Sequence, residues 1–497
     1  LIGLVGSEMC IRDRTTMWKS LALPSGFTVD FMNMFGDGRL QEENVERELL
    51  TIGTKAELGM SKIRLTGKAK GHLSKDGTPE PVYFMQMPYI KKDNPNTVES
   101  INKLQRYSKY LRDKIDAVIF LGIGGSYLGN KVLFDILAGD FWNTDAEKRH
   151  GYPRVYFSGN NLDAVQCIEQ ASEIKRLAAT GSSKKEQFTV MLVPISKSGT
   201  TLEPMSAFTY FYNEFAGSKT IKVEVTVVTD LCVDIKESPL LQLAEQRAWQ
   251  CFDIKEGIGG RFSVFTDPGL VTLSAIGGDI EAFLCGAREL DEYCKNAVSA
   301  ENPALLNALL KYLVGRQGCD IEVFMGYSSK FKALGEWYVQ LLAESLGKRH
   351  DRDGKLVNYG RTPVVAVGST DMHAQTQQHQ DGRRNKIIQF LEIADTGLKL
   401  KLSNPFKGNS FFEFYKGLEL DKALKIALAA NEEALASDGR YSARYVLPRL
   451  NEYYLGQLLY FLMLSIAYEG ELANVDAYDQ PGVEAYKKIM KSKIWQV

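Results

Sequence analysis

Residues 188–201 read FTVMLVPISKSGTT, an apolar run that stops in a cluster of hydroxyls, one lysine and one glycine. Those residue types at that spacing suit the binding of a phosphate. A buried strand would deliver the chain to a turn, where Gly199 lets the backbone bend without a Cβ clash. A helix beginning near Thr201 would then point free N–H groups and its positive dipole end at an anion. Ser196, Ser198, Thr200 and Thr201 add side-chain donors, and Lys197 adds charge. The same hydroxyls would also serve as N-caps of an ordinary helix. One hydroxyl suffices for a cap, so four of them beside a lysine point to a ligand.

Two further glycine clusters carry polar groups. Residues 120–129 read FLGIGGSYLG, with Tyr127 where the third glycine of GxGxxG would stand and no GK[ST] of a Walker loop, so a nucleotide is disfavoured. These glycines serve either close approach to another anionic or polyhydroxy ligand, with Gly125 and Ser126 at hand, or simply a tight strand-to-helix turn. Residues 257–263, GIGGRFS, place Arg261 directly after Gly259 and Gly260. A guanidinium stays charged in a protein, which suits it to an oxyanion or enediolate. The alternative is a surface arginine after a loop.

Rigid elements must stand behind such clusters, and the apolar pattern supplies them. Strand-like runs at 117–121, 155–157, 190–194 and 223–228 alternate with longer stretches of helical period, as in parallel sheets covered by helices. A second series at 321–325, 364–367 and 387–393, separated by helix-like stretches such as 332–346, predicts a second α/β unit with a helical C-terminal extension. Ahead of residue 101 the chain is mixed, amphipathic over 40–60 and polar and turn-rich over 67–81. A length of 497 residues exceeds what one core supports. The predicted units are 17–104 (mixed and helical), 105–290 and 291–497, packed together because no low-complexity linker intervenes.

Composition narrows the partners. With 60 basic and 61 acidic side chains the net charge is −1, which argues against nucleic acid or an anionic membrane as the main partner. Seven scattered cysteines without a CxxC pair suggest neither a disulfide framework nor a zinc site and fit a reducing cytoplasm. Five histidines form no HxH or HExxH pattern, so no metal is expected. The apolar run at 458–468 is about half as long as a bilayer crossing needs and reads as a core helix. Residues 1–14, LIGLVGSEMCIRDR, have too short an apolar stretch for a signal peptide, and VGSEMCIRDR resembles a translated sequencing-adapter scar. The biological chain is expected to begin at Met17.

Six separated segments carry a resemblance. GIGGS (122–126), SKSGTT (196–201), GGRFSVFTDPGL (259–270), QLLAESLGK (340–348), STDMH (369–373) and YDQPGVEAYK (478–487) occur in the order and spacing of glucose-6-phosphate isomerases of the bacterial type, which the chain resembles from about residue 101 to 488. The resemblance implies an α/β fold of two sugar-isomerase (SIS) domains. Each is a three-layer αβα sandwich on a parallel sheet, the first smaller, with helical N- and C-terminal extensions. It also implies a homodimer whose active sites lie at the domain and subunit boundaries.

The same resemblance assigns roles. Interconverting an aldose and a ketose requires opening the sugar ring and moving a proton between neighbouring carbons, which one carboxylate can do over a cis-enediol. Glu344 matches the family's base, His373 the ring-opening histidine supplied by the neighbouring subunit, and Lys487 the lysine that shares acid/base work there. Arg261 matches the residue that stabilises the enediolate, with Gly260 beside it. Gln340, one helical turn before Glu344, and Gln480 match sugar-contacting glutamines. Ser196, Lys197, Ser198, Thr200 and Thr201 match the phosphate cradle, joined by Gly125 and Ser126, and Glu203 is a weaker candidate for a supporting carboxylate. Met372, Ala374 and QTQQ at 375–378 depart from the family's commonest choices, and His379 follows nearby, but the preceding Ser-Thr-Asp favours His373. Taken by themselves, Glu344 on a helix with Glu336, His373 in its turn and Lys487 beside Lys488 would read as solvated or structural residues.

The expected activity is therefore interconversion of D-glucose 6-phosphate and D-fructose 6-phosphate, in glycolysis and gluconeogenesis, in the cytoplasm, with no cofactor and no metal. A broader isomerase acting also on mannose 6-phosphate is the rival among enzymes. From another class, a phosphosugar-sensing module could keep SKSGTT while losing Glu344, Arg261 and Lys487, but all three are present and no basic helical module is visible.

Overall fold

The computed structural model describes residues 18–494 except 75, 183, 185 and 186, so the expected start at Met17 lies outside the described residues. The chain begins with an antiparallel pair, β1 (Ser20–Ala22) and β2 (Thr28–Asp30). Helices Glu42–Glu48 and Thr54–Thr66 follow, joined by a π turn over Leu49–Gly53. The turn-rich segment at 67–81 then forms a hairpin of β3 (Lys68–Leu73) and β4 (Pro79–Pro81). Beyond helix Val98–Lys114 come β5 (Ala117–Leu121), β6 (Arg154–Ser158), β7 (Phe188–Pro194), β8 (Ile221–Thr229) and β9 (Gln250–Asp253). The second half carries β10 (Ile321–Gly326), the hairpin β11 (Lys348–His350) and β12 (Leu356–Tyr359), then β13 (Thr362–Val367), β14 (Lys386–Ile393) and β15 (Tyr441–Leu447).

Two sheets result. The first is parallel throughout, in the order β6-β5-β7-β8-β9. Its strands show why AVIFL and FTVMLVP carry no polar alternation: every residue of β5 and β7 is buried, because helices cover both faces. Ala117, Ile119 and Leu121 pack with Phe208 and Phe211 of helix Leu202–Phe215, while Val118 and Phe120 join a core on the opposite face. That alternation is the period of two that a strand imposes.

The second sheet has the order β1-β2-β15-β14-β10-β13 and is parallel from β15 to β13. Val323 and Met325 face Leu428 and Leu435 of helix Leu420–Ser437, and Phe324 faces the core that also holds Val118. The two α/β units thus share one apolar interior. Running through it is helix Glu452–Leu472, buried along nearly its whole length, which explains why the run at 458–468 is apolar all round. The N-terminal segment carries strands as well as helices. Its β1 and β2 add an antiparallel margin to the second sheet, β2 pairing with β15. No helix among the described residues is long and apolar enough to cross a membrane.

Candidate active site

Two of the glycine-bearing turns leave the first sheet side by side. β5 and β7 are neighbours, with Leu121 opposite Pro194, and the strand order reverses between them. The carboxyl ends of strands at such a switch point open a crevice where ligands of α/β sheets bind. GIGGS leaves β5 and SKSGTT leaves β7, so the topology brings both turns to that crevice.

The SKSGTT loop is a strand-to-helix turn tied to both neighbouring strands. Ile195 N–H donates to Leu121 O at 2.8 Å and Ser196 N–H to Val228 O at 3.0 Å, which anchors the start of the loop to both neighbouring strands. Gly199 has φ +65°, and a β-carbon there would come within 2.8 Å of Ser238 Oγ, so glycine is required. Ser196 Oγ and Thr201 Oγ1 lie 3.0 Å apart, and Ser198 Oγ and Thr200 Oγ1 2.9 Å. Thr201 is the N-cap of helix Leu202–Phe215 but makes no side-chain capping bond. Its hydroxyl is engaged with Ser196, which leaves the helix's first N–H groups directed at the loop. Lys197, Ser198 and Thr200 are exposed, Ser196 is buried, and Glu203 sits in the first turn of the helix.

The GIGGS turn meets a different constraint. Gly124 has φ +58°, and a β-carbon there would lie 3.1 Å from Gln340 Nε2. At Gly125 it would collide with the Gly260 carbonyl. These glycines therefore let one backbone approach another, placing Ser126 beside Arg261's turn.

Arg261 is the hub. It is buried, and its Nε donates to Ser345 Oγ at 2.8 Å. Its Nη2 donates to Ala477 O (2.7 Å) and Asp479 O (3.0 Å), and its Nη1 to Gln480 Oε1 (3.2 Å) and, at 3.5 Å, Glu344 Oε2. Burial pulls the guanidinium below its usual pKa, with Glu344 and Asp479 opposing. Helix Lys332–Leu346 spans the residues its periodicity predicts and presents Gln340 and Glu344 one turn apart, the Gln340 amide donating to Glu344 Oε1 at 3.1 Å. One Glu344 oxygen is thus held by an amide and the other faces a fixed positive charge. The side chain remains one quarter exposed. A substrate carbon here would meet a carboxylate and, within a few ångströms, a cation for its oxygen.

Arg261, Gln340, Glu344, Gln480, Gly125 and Gly260 are therefore brought together. Lys487 lies on helix Pro481–Ile494, exposed, two helical turns beyond Gln480. His373 ends a 3-10 turn, Thr370–His373, beyond the carboxyl end of β13, is exposed, and makes no hydrogen bond to Glu344 or Arg261 among the described residues. His379 is buried instead, with neither ring nitrogen hydrogen-bonded; burial lowers its pKa to about 4, helped by Lys386 and Arg440.

The structure adds groups to which the sequence assigned no role. Ser345 and Lys348 lie inside the QLLAESLGK segment: the first holds Arg261, and the second reaches the Asp479 carbonyl at 2.9 Å and the Glu344 carbonyl. Their spacing from Glu344 was the available signal. The carbonyls of Ala477 and Asp479 had none, since every residue carries one.

Residues 96–496 match the profile of the family Phosphoglucose isomerase. Over 460 residues the chain is 31% identical to the glucose-6-phosphate isomerase of Carboxydothermus hydrogenoformans, covering 93% of each chain. It is also 31% identical, over 391 residues, to that of Methanocaldococcus jannaschii, covering 79% of this chain and 86% of the relative. Among solved structures, a glucose-6-phosphate isomerase from Chlamydia trachomatis superposes with a TM-score of 0.77 at 22% identity, covering 97% of this chain and 90% of that one. A hypothetical protein from Thermus thermophilus does so with a TM-score of 0.72 at 28% identity, covering 91% and 96%.

Proposed function

This chain belongs to the phosphoglucose isomerase family, and from that premise we propose that it interconverts D-glucose 6-phosphate and D-fructose 6-phosphate by proton transfer at Glu344. The observation that carries the reading is the Arg261–Glu344 pair, a buried guanidinium 3.5 Å from a partly open carboxylate at the mouth of the crevice.

The residues divide the work. Ser196, Lys197, Ser198, Thr200 and Thr201, with Gly125 and Ser126, hold the phosphate and so fix the reacting end of the sugar. Ring opening breaks the C1–O5 bond, O5 gaining a proton and the C1 hydroxyl losing one; His373 and Lys487 perform this step. Glu344 then removes the C2 proton, the C–H electron pair becomes the C1=C2 bond, and the carbonyl pair moves onto O1. Arg261 faces that charge, and Gln340, Gln480 and Gly260 border the sugar. Returning the proton from Glu344 to C1 while the O2 proton passes to O1 gives the ketose. Substrate and product are isomers, so the sequence of steps calls for no cofactor.

His373 is supplied by a second copy of the chain in a homodimer. Its exposure supports this assignment, as do the large apolar side chains Leu398, Leu400, Phe406, Phe411 and Phe414, all exposed within one short stretch of chain. The reaction serves glycolysis and gluconeogenesis in the cytoplasm.

A coupled assay of fructose 6-phosphate turnover in deuterated water tests the proposal. Turnover with deuterium entering C2 of the glucose 6-phosphate formed is the expected result. Absence of turnover overturns the activity, and strict retention of the C1 hydrogen at C2 overturns a solvent-exchanging proton transfer.

A further inference from the structure

We propose that His72, on the hairpin outside both sheets, is a positioning residue that fixes Arg261 at the reacting end of the site; this rests on the isomerase reading above. His72 Nδ1 lies 2.9 Å from Asp476 Oδ2, and its Nε2 is 3.5 Å from Glu80 Oε2. An ionised carboxylate only accepts, so Nδ1 carries the proton and donates. Burial works to raise the Asp476 carboxyl, but the hydrogen bond and charge of His72 and the Tyr478 N–H outweigh it and hold the group below its ordinary range.

Asp476 starts the turn that grips Arg261. Its Oδ1 accepts from Tyr478 N–H at 3.0 Å, which sets the chain direction between the two carbonyls, Ala477 O and Asp479 O, that share Arg261 Nη2. The imidazole also meets the Tyr478 ring edge-on at 5.8 Å between centroids. Lys348 holds the far end of the same turn through Asp479. The His72 end is held from β3, a strand 404 residues away in sequence. His72 borders a cavity of about 190 Å³ together with Tyr478, Gly259 and Lys197, and its link to Arg261 runs through Asp476 and the turn.

If His72 acts on Arg261, its loss should damage the enediolate end and spare the phosphate end. In His72→Ala, kcat for fructose 6-phosphate should fall by about 10- to 100-fold with KM changed less than about threefold. A phosphorylated sugar acid that mimics the enediolate should lose affinity by about tenfold, whereas a six-carbon alditol 6-phosphate should keep it within about twofold. Equal losses of both ligands, or no loss of kcat, overturn the proposal.

A second pair of variants remains decisive should His72→Ala fail to fold. An asparagine amide can replace the Nδ1–H toward Asp476, and a glutamine amide replaces the Nε2 side toward Glu80. His72→Asn should therefore retain most of kcat and His72→Gln should not; the reverse order, or equality, overturns the assignment. Inactivity of the unmodified protein would instead mark failure of the isomerase reading, so the two failures are distinguishable.

Discussion

A β-carbon added at Gly125 would fall on the carbonyl carbon and oxygen of Gly260. The turn bearing Ser126 and the turn bearing Arg261 are thus in backbone contact, with no room for even a methyl group. Gly125→Ala must push them apart, and a displacement of that kind costs on the order of 100-fold in turnover and about 1–3 kcal/mol in stability. Gly260→Ala is the contrast, since its added carbon would stand 3.7 Å from Gly125 Cα, an ordinary contact. Thermal unfolding should separate the two, with Gly260→Ala close to the parent; equal melting temperatures for both variants would refute the packing argument.

Glu344→Gln keeps the shape and a hydrogen-bonding side chain beside Gln340 and removes only the proton acceptor. Turnover should drop by about three orders of magnitude or more while calorimetric affinity for a non-reacting hexitol 6-phosphate stays within about threefold. Full activity in this variant would remove Glu344 from the mechanism.

Ser196 and Thr201 hold each other at 3.0 Å, so truncating either disturbs both. Ser196→Ala and Thr201→Ala should each raise KM for fructose 6-phosphate by about 10-fold, the scale of one lost hydrogen bond to a charged group, and barely alter weak binding of unphosphorylated fructose. Parallel weakening of both sugars would show that the loop does not hold the phosphate.

Asp267, at the start of helix Asp267–Ala275, is buried, and burial raises its carboxyl to about 6 against the N–H donated by Asp253 and the nearby charge of Lys255. Between the unfolded value of 3.8 and that folded value, the folded chain holds a proton the unfolded chain has lost. Stability therefore declines as pH rises from about 4 to about 6 and levels off above. Asp267→Asn keeps an acceptor for Asp253 and cannot ionise, so its advantage should grow across that window to roughly 3 kcal/mol at most. Urea unfolding at several pH values measures this; an advantage independent of pH would refute it.

Glu322 is wholly buried between Lys311 Nζ (3.1 Å) and Arg361 Nε (2.8 Å), and Arg361 also pairs with Glu469. Two cations and two anions balance there, away from the crevice. Glu322→Gln leaves a buried positive charge unmatched and should cost about 3–5 kcal/mol, whereas Tyr338→Phe, which removes one hydroxyl from the same carboxylate, should cost about 1 kcal/mol. Denaturant midpoints of the two variants should differ accordingly; similar midpoints would mean the charges are not compensating each other.

Much of the architecture is written locally. The strands β5 and β7 announce themselves because both faces are buried and nearly every residue is apolar, β10 and β14 because apolar residues still predominate in them, and helix Lys332–Leu346 because one stripe of it is apolar. β15 escapes notice because Ser442 and Arg444 interrupt its apolar run. β1 and β2 are three residues each, too short for any period to register, and exist as sheet only because β15 offers an edge.

The site divides in the same way. Gly199 and the hydroxyls around it are legible because backbone freedom and helix-terminal donors are properties of adjacent residues, and the six motifs mark Arg261 and Glu344 without saying what lies between them. Only the folded chain decides that Arg261 is clamped by Ser345 and by two carbonyls, that Gly125 needs no side chain because Gly260 occupies its place, and that His72 meets Asp476. Sequence records which groups a residue carries; which donor reaches which acceptor depends on how elements hundreds of residues apart pack, and that is settled by burial of the shared core.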